Sequence, residues 1–148
     1  MLRTLQGHTG KPLPIYEAGE AMTRGCPITI DYASDKVYKA TENTGVFLAE
    51  VAYSYDGINA VVAPSDADFE PITKGQKVIC YPNYVGESFA TSEVTPGTMV
   101  KGAYIKAVDG KFVAASAGEK SEWVYGGSYS DPTGIEMWKI TRTYVSTI

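Results

Sequence analysis

The chain has 148 residues, a formal net charge of −4 and an isoelectric point near 5.0, a length that fits one domain burying ~70% of its unfolded surface without staples. A balance of 13 basic against 17 acidic residues disfavours nucleic-acid binding by charge alone, and no nucleic-acid partner is expected. No apolar run approaches the ~20 residues that span a bilayer, and Met1-Leu2-Arg3-Thr4-Leu5-Gln6 lacks the apolar centre of a signal peptide, so a soluble, unsecreted protein with no membrane partner is expected.

In chain order, residues 1–14 contain Gly7, Gly10, Pro12 and Pro14 and read as an extended N-terminal arm, too poor in apolar residues to form a core of its own. Residues 15–148 read as a single β domain, and deletion of 1–14 is expected to leave it folded. Ile28, Ile30 and Tyr32 alternate with Thr29 and Asp31, the period of a half-buried strand. Ala33-Ser34-Asp35 supplies a turn into a second strand over 36–41. Gly45 to Tyr53 begins apolar on both faces and then alternates, which marks the most central strand. Asp56-Gly57 matches a tight hairpin turn into Ile58 to Ala63. Pro64 to Pro71 breaks the pattern, and Ser65 is placed to cap a single helical turn.

Asp109-Gly110, between Ala103 to Val108 and Lys111 to Ala115, is the clearest hairpin signal, because a type I′ turn needs positive φ at both central positions. A long loop, Gly126 to Gly134, is expected between Glu122-Trp123-Val124-Tyr125 and a last strand from Ile135 to Val145. Segment 119–148 thus reads as an aromatic loop and long strand. Glycine and proline leave almost no window for a three-turn helix, and many short strands with turn residues between them favour closure. The expected fold is all-β: a small barrel or sandwich built from short hairpins, with the extended arm and little helix.

A basic residue followed by glycine and a short β-favouring run occurs three times, at Arg24-Gly25, Lys74-Gly75 and Lys101-Gly102. Each is followed, ten to fourteen residues beyond its glycine, by a second run: 37–40, 89–91 and 112–115. The varying spacing describes a recurrent turn entering a strand, not a strict duplication. Glycine serves there because it tolerates positive φ. None of the three stands between a strand and a helix, as a phosphate-binding loop requires.

Catalytic chemistry finds little support. His8, the only histidine, lies in the arm with no nucleophile motif beside it, which argues against a Ser-His-Asp or Cys-His site. Cys26 and Cys80 match no zinc or redox spacing and read as buried thiols. Asp66, Asp68 and Glu70 lack the glycine and distal glutamate of an EF-hand and read as a solvated turn. No metal site, cofactor or catalytic residue is expected. Aromatic content is the remaining signal: 11 tyrosines and two tryptophans. Trp123, Tyr125 and Tyr129 flank or occupy the glycine-rich segment, where they are candidates for a subunit interface or for stacking on a glycan. For Trp123 and Trp138, core or subunit packing is the favoured role.

Ala18-Gly19-Glu20-Ala21-Met22-Thr23-Arg24-Gly25 running into Pro27-Ile28-Thr29-Ile30-Asp31, then Asp35 to Thr41, and Pro96 to Gly102 followed by the Asp109-Gly110 hairpin, resemble the head decoration, or cement, proteins of tailed bacteriophages. That resemblance implies a non-enzymatic protein on the outer surface of the virion capsid, made in the host cytoplasm. It would bind and clamp major capsid subunits as a homo-oligomer, with a trimer favoured. It also implies that the arm adds a strand to a capsid sheet, with Leu2, Arg3, Leu5, His8 and Leu13 as candidate contacts. Segment 119–148 departs from compact family members and offers a further interface. The alternative is a carbohydrate-binding β module using exposed aromatics.

Overall fold

Runs of four or five β-favouring residues cut by glycine, proline and aspartate fold as strands that pair across long sequence separations. The computed structural model describes residues 1–6, 13–52, 71–82 and 84–148. Among them the chain is all-β, with eleven strands and no helix. The strands are β1 (Leu2–Gln6), β2 (Ile15–Ala18), β3 (Pro27–Asp31), β4 (Lys36–Lys39), β5 (Phe47–Val51), β6 (Lys77–Tyr81), β7 (Ser88–Thr91), β8 (Tyr104–Val108), β9 (Lys111–Ala114), β10 (Lys120–Ser130) and β11 (Glu136–Thr147). The Asp56-Gly57 turn, the strand expected over 58–63, the Ser65 cap, the acidic turn at Asp66, Asp68 and Glu70, and His8 all lie outside the described residues.

Five strands close into a barrel in the order β2-β4-β3-β5-β6, and the other six form a sheet in the order β1-β7-β11-β10-β8-β9. The barrel interior is filled by Ala18, Met22, Cys26, Ile28, Val37, Ala49, Ile72, Val78 and Cys80. A second, more aromatic core lies between the barrel wall and the sheet. There Ala40, Val46 and Leu48 meet Leu2, Phe89, Phe112, Trp123, Tyr125 and Ile140. Leu48 and Ala49 are both fully buried in different cores, which is why β5 reads as apolar on two faces. Cys26 and Cys80 are free, buried thiols.

The three basic-glycine passages are three copies of one local structure. In each, the basic residue and glycine are the central pair of a turn closed by Cys26 N–H to Thr23 O (3.2 Å), Gln76 N–H to Thr73 O (3.2 Å) and Ala103 N–H to Val100 O (3.0 Å). The glycine φ values are +85°, +93° and +95°, the third-position requirement of a type II turn. One residue of a neighbouring segment clasps each turn. Ala49, Ala18 and Tyr125 accept from the glycine N–H at 2.7, 2.9 and 2.8 Å. The same three donate to the carbonyls of Cys26, Gln76 and Ala103 at 3.0, 2.8 and 2.8 Å. Within the barrel the first two turns are further related, since Met22 and Ile72, each three residues before its glycine, exchange both main-chain hydrogen bonds (2.9 and 2.8 Å).

The hairpin expected after each turn forms twice. β3 pairs with β4 and β8 with β9, the latter through Asp109 (φ 44°) and Gly110 (φ 77°). After the second turn, β6 stays in the barrel while β7 crosses into the sheet. Periodicity along one segment does not reveal which sheet takes its edge, so the crossing left no mark in the sequence.

Three expectations require correction. Residues 1–6 are not a projecting arm; β1 pairs antiparallel with β7, and Met1 and Leu2 are 4% and 6% exposed. These residues are too few to build a core but enough to complete one. Deleting 1–14 would therefore uncover β7, whose four residues are all buried. The loop expected over 126–134 is mostly strand: β10 runs to Ser130, with Gly127 at φ +93° where its register against β11 shifts between Tyr125 and Ser128. This is a glycine bulge, which extends a strand while re-aiming its side chains. Finally, segment 119–148 is no appendage, because β10 and β11 are the two central strands of the sheet.

Candidate functional site

The barrel and sheet are joined through Val46, a residue just before β5 whose two main-chain groups are both held by the sheet. Glu122 Oε1 accepts from Val46 N–H at 2.7 Å, while Arg142 Nη1 (2.7 Å) and Trp123 Nε1 (3.2 Å) donate to its carbonyl. Arg142 closes the arrangement with a 2.9 Å bond from Nη2 to Glu122 Oε2, and its guanidinium carbon lies 5.6 Å from the Trp123 ring centroid. Burial lowers the Arg142 pKa, and the Glu122 charge opposes that shift. A charge so placed is structural, since among the described residues no buried side-chain polar atom lacks a partner.

Trp123, Tyr125 and Tyr129 therefore do not form an exposed ladder. Trp123 is 1% exposed, with its ring against Phe89 and Phe112 at centroid distances of 6.3 and 5.6 Å. Tyr125 is buried in the same core, and Tyr129 packs half-buried beside Met1, Ala90 and Met137 on the other face of the sheet. Trp138 packs against the aromatic core, the role expected of it. Among the described residues the exposed large rings lie elsewhere: Tyr32 at the β3–β4 turn, Tyr38 in β4 and Tyr144 in β11.

The residues implied as capsid contacts are placed as follows. Leu2 is inside the core between barrel and sheet, and Leu5 is half-buried against the Met1, Ala90 and Met137 cluster. Arg3 donates from Nε to Asp131 Oδ2 at 3.0 Å, tying β1 to the turn between β10 and β11. Asp131 also accepts from the Thr133 N–H (2.9 Å) and hydroxyl (2.8 Å). Those bonds, with Arg3 adding to them, hold its carboxyl below the ordinary value. Leu13 is half-buried just before β2. The side chains of β1 thus hold the strand down, leaving its outer edge as the part that faces away from the domain. The Ser92 N–H to Met1 O bond of 3.2 Å makes Met1 a hydrogen-bonded position. By alternation, Arg3 turns its main-chain groups toward β7, and Leu2 and Thr4 turn theirs outward. No strand among the described residues pairs with that outer side.

The opposite edge, β9, is partly covered, since Phe112 N–H bonds Glu93 O and Thr95 N–H bonds Phe112 O. A depression of about 300 Å³ lies beside it, between the barrel and the β8–β9 turn. Its charges are matched in pairs, Lys39 with Asp109 at 3.7 Å and Lys111 with Glu93 at 3.3 Å. Cys26 lines it, but burial pushes that thiol up to about 12, far from a nucleophile's range. Among the described residues no three His, Cys, Asp or Glu side chains gather as metal ligands, and no buried side-chain polar atom lacks a hydrogen-bond partner.

No family model, curated protein or solved structure matches the chain.

Glu122, Arg142 and Asp131 are the residues sequence reasoning missed. The partners that join them across the fold lie 76, 96 and 128 residues away, and only Asp131 has a local signal, the Thr133 two residues on that donates to it.

Proposed function

We propose that this protein is a non-enzymatic structural component of a phage virion that binds the outer surface of the capsid and stabilises contacts between major capsid subunits. The observation that carries the reading is the sequence resemblance of segments 18–41 and 96–110 to head decoration proteins. The outer edge of β1 fits it, offering main-chain groups at Leu2 and Thr4 for strand addition without asking buried side chains to move. Many copies on one shell reach a large combined effect through multivalency even when each contact is modest. Homo-oligomerisation, with a trimer favoured, belongs to the same proposal.

The test is co-sedimentation of the purified protein with emptied, expanded shells of the phage that encodes it, followed by imaging of the pelleted particles. Saturable binding with density on the outer surface is expected. Thr4→Pro removes one outward N–H from an edge position where proline is tolerated, and should lower occupancy while leaving the fold intact. Absence of binding by the unaltered protein would overturn the reading.

A further inference from the structure

The face of the sheet turned away from the barrel carries a groove across β10. Lys139 and Thr141 flank the core residue Ile140, and Val124 stands between Trp123 and Tyr125, so alternation points all three away from that core. With the turn before β8 they line a groove of about 310 Å³. β10 lies between β11, which carries Lys139, and the Lys101-Gly102 turn, which Tyr125 clasps. The two lysines therefore stand on opposite walls, two strand spacings or roughly 9–10 Å apart at the main chain. Val124 and Gly126 of β10 floor the space between them. Lys139 leans inward over that floor. Gly126, unlike Gly127, has no positive φ to require glycine, but a Cβ there would come within 2.9 Å of Lys139 Cγ and 3.1 Å of its Cβ. The glycine makes room for the lysine stem. Lys106 and Lys111 on the same sheet meet carboxylates at 2.7 and 3.3 Å; among the described residues, no aspartate or glutamate lines the groove that holds Lys101 and Lys139.

We propose that this groove is a docking site for an extended acidic segment of a partner protein, with carboxylates two residues apart meeting Lys101 and Lys139. Charge complementarity selects the occupant, because in a chain carrying −4 this groove presents two cations and no anion. Spacing selects two carboxylates over one compact dianion. Lysine is a point charge on a flexible stem, and these two face each other across β10 with no arginine fork between them. Alternate side chains of an extended strand lie about 6.6 Å apart, a span that fits two lysines whose stems reach in from opposite walls. The carbon floor of Val124 and Gly126 suits the methylenes of glutamate stems. Recognition falls to side chains, since the Tyr125 N–H and carbonyl are both paired with the turn at 2.8 Å and the Thr141 hydroxyl is bonded to Ser88 at 2.8 Å. The site is thus separate from the β1 edge, which offers main chain.

The experiment is fluorescence anisotropy of a short labelled peptide of alternating glutamate and serine, titrated with the full chain in ~0.05 M and ~0.5 M salt. The unaltered protein should bind with a Kd below ~1 mM, and more weakly at high salt. The same peptide with glutamine in place of glutamate should not bind. Lys101→Glu and Lys139→Glu should each raise the Kd at least ~10-fold; Lys101 is exposed, so its loss cannot be ascribed to unfolding. Lys74→Glu, at the equivalent position of a barrel turn, should leave binding unchanged. Sulfate at matched ionic strength should compete no better than chloride. Absence of binding up to ~1 mM, binding indifferent to both groove substitutions, or displacement by sulfate, which would mark a site for a compact dianion, each overturns the proposal. No capsid enters the measurement, so its failure is separable from failure of the capsid reading.

Discussion

The barrel and the sheet are made from the same turn, yet they differ in what they leave open. The barrel closes with strands of four or five residues around a core of small and medium side chains, including both cysteines. Closure gives every barrel strand two neighbours and removes its edges. The sheet carries strands of 11 and 12 residues, a core of Trp123, Phe89 and Phe112, and an unclosed boundary at β1. The barrel acts as the brace, and the sheet is the part with an unpaired main-chain edge among the described residues. The comparison is sharpest where the two meet.

The largest effect should follow from breaking the joint at Val46. Glu122→Ala leaves the Val46 N–H without its acceptor and the Arg142 guanidinium, 18% exposed at the side chain, without its counter-charge. Breaking a buried pair by removing one partner costs about 3–5 kcal/mol. Urea unfolding should show a midpoint lowered accordingly. If barrel and sheet depend on this joint to unfold together, the single transition should also split or broaden. Glu122→Gln, which keeps an acceptor for Val46 but turns an NH2 toward Arg142 and removes its counter-charge, should lose somewhat less. Equal losses for the two variants would mean that charge, not the Val46 contact, dominates.

Much of the fold was legible before the joint was. Asp109-Gly110 announced its hairpin because both turn positions need positive φ and few residues accept it. The three basic-glycine passages announced their turns for the same reason. What escaped notice was set by partners distant in sequence. Leu2 looked stranded in a polar arm until β7 supplied a wall for it. Gly126-Gly127 looked like a loop because glycine marks bulges and loops alike. Trp123 carried the right apolar weight, but only the fold could decide between a surface platform and a core.

The three turns provide the next comparison, since the glycine of one is crowded by a neighbouring segment and the other two are open. A Cβ at Gly25 would come within 2.5 Å of Thr91 Oγ1 and 2.6 Å of the Met1 carbonyl, whereas at Gly75 and Gly102 it would meet open space. All three have positive φ, so alanine costs each about 1–2 kcal/mol in backbone strain. Gly25→Ala adds a steric conflict worth about 1–3 kcal/mol, because backbone cannot step aside as a flexible side chain can. Thermal unfolding of the three variants should rank Gly25→Ala well below a near-equal pair. Three equal losses would mean that the turn alone, and not the packing of barrel on sheet, sets the requirement for glycine.

The smallest expected effect concerns the sheet's own boundary. Asp131 binds Arg3 across to β1, and its carboxyl lies below the ordinary value of 3.8, chiefly because Thr133 donates to it twice. The folded protein therefore takes up that proton less readily than the unfolded chain. Its stabilising contribution is complete above the unfolded value and disappears as pH falls through the lower, folded one. Asp131→Asn cannot titrate and loses the charge that Arg3 meets. Near neutral pH the loss should be about 1 kcal/mol or less, because Arg3 is one-third exposed and water screens the pair. The difference between the two proteins should then shrink as the solution is acidified below about pH 4. Stability curves that stay parallel from neutral pH through that range would show that Asp131 holds β1 by shape and hydrogen bonding, with its charge contributing nothing.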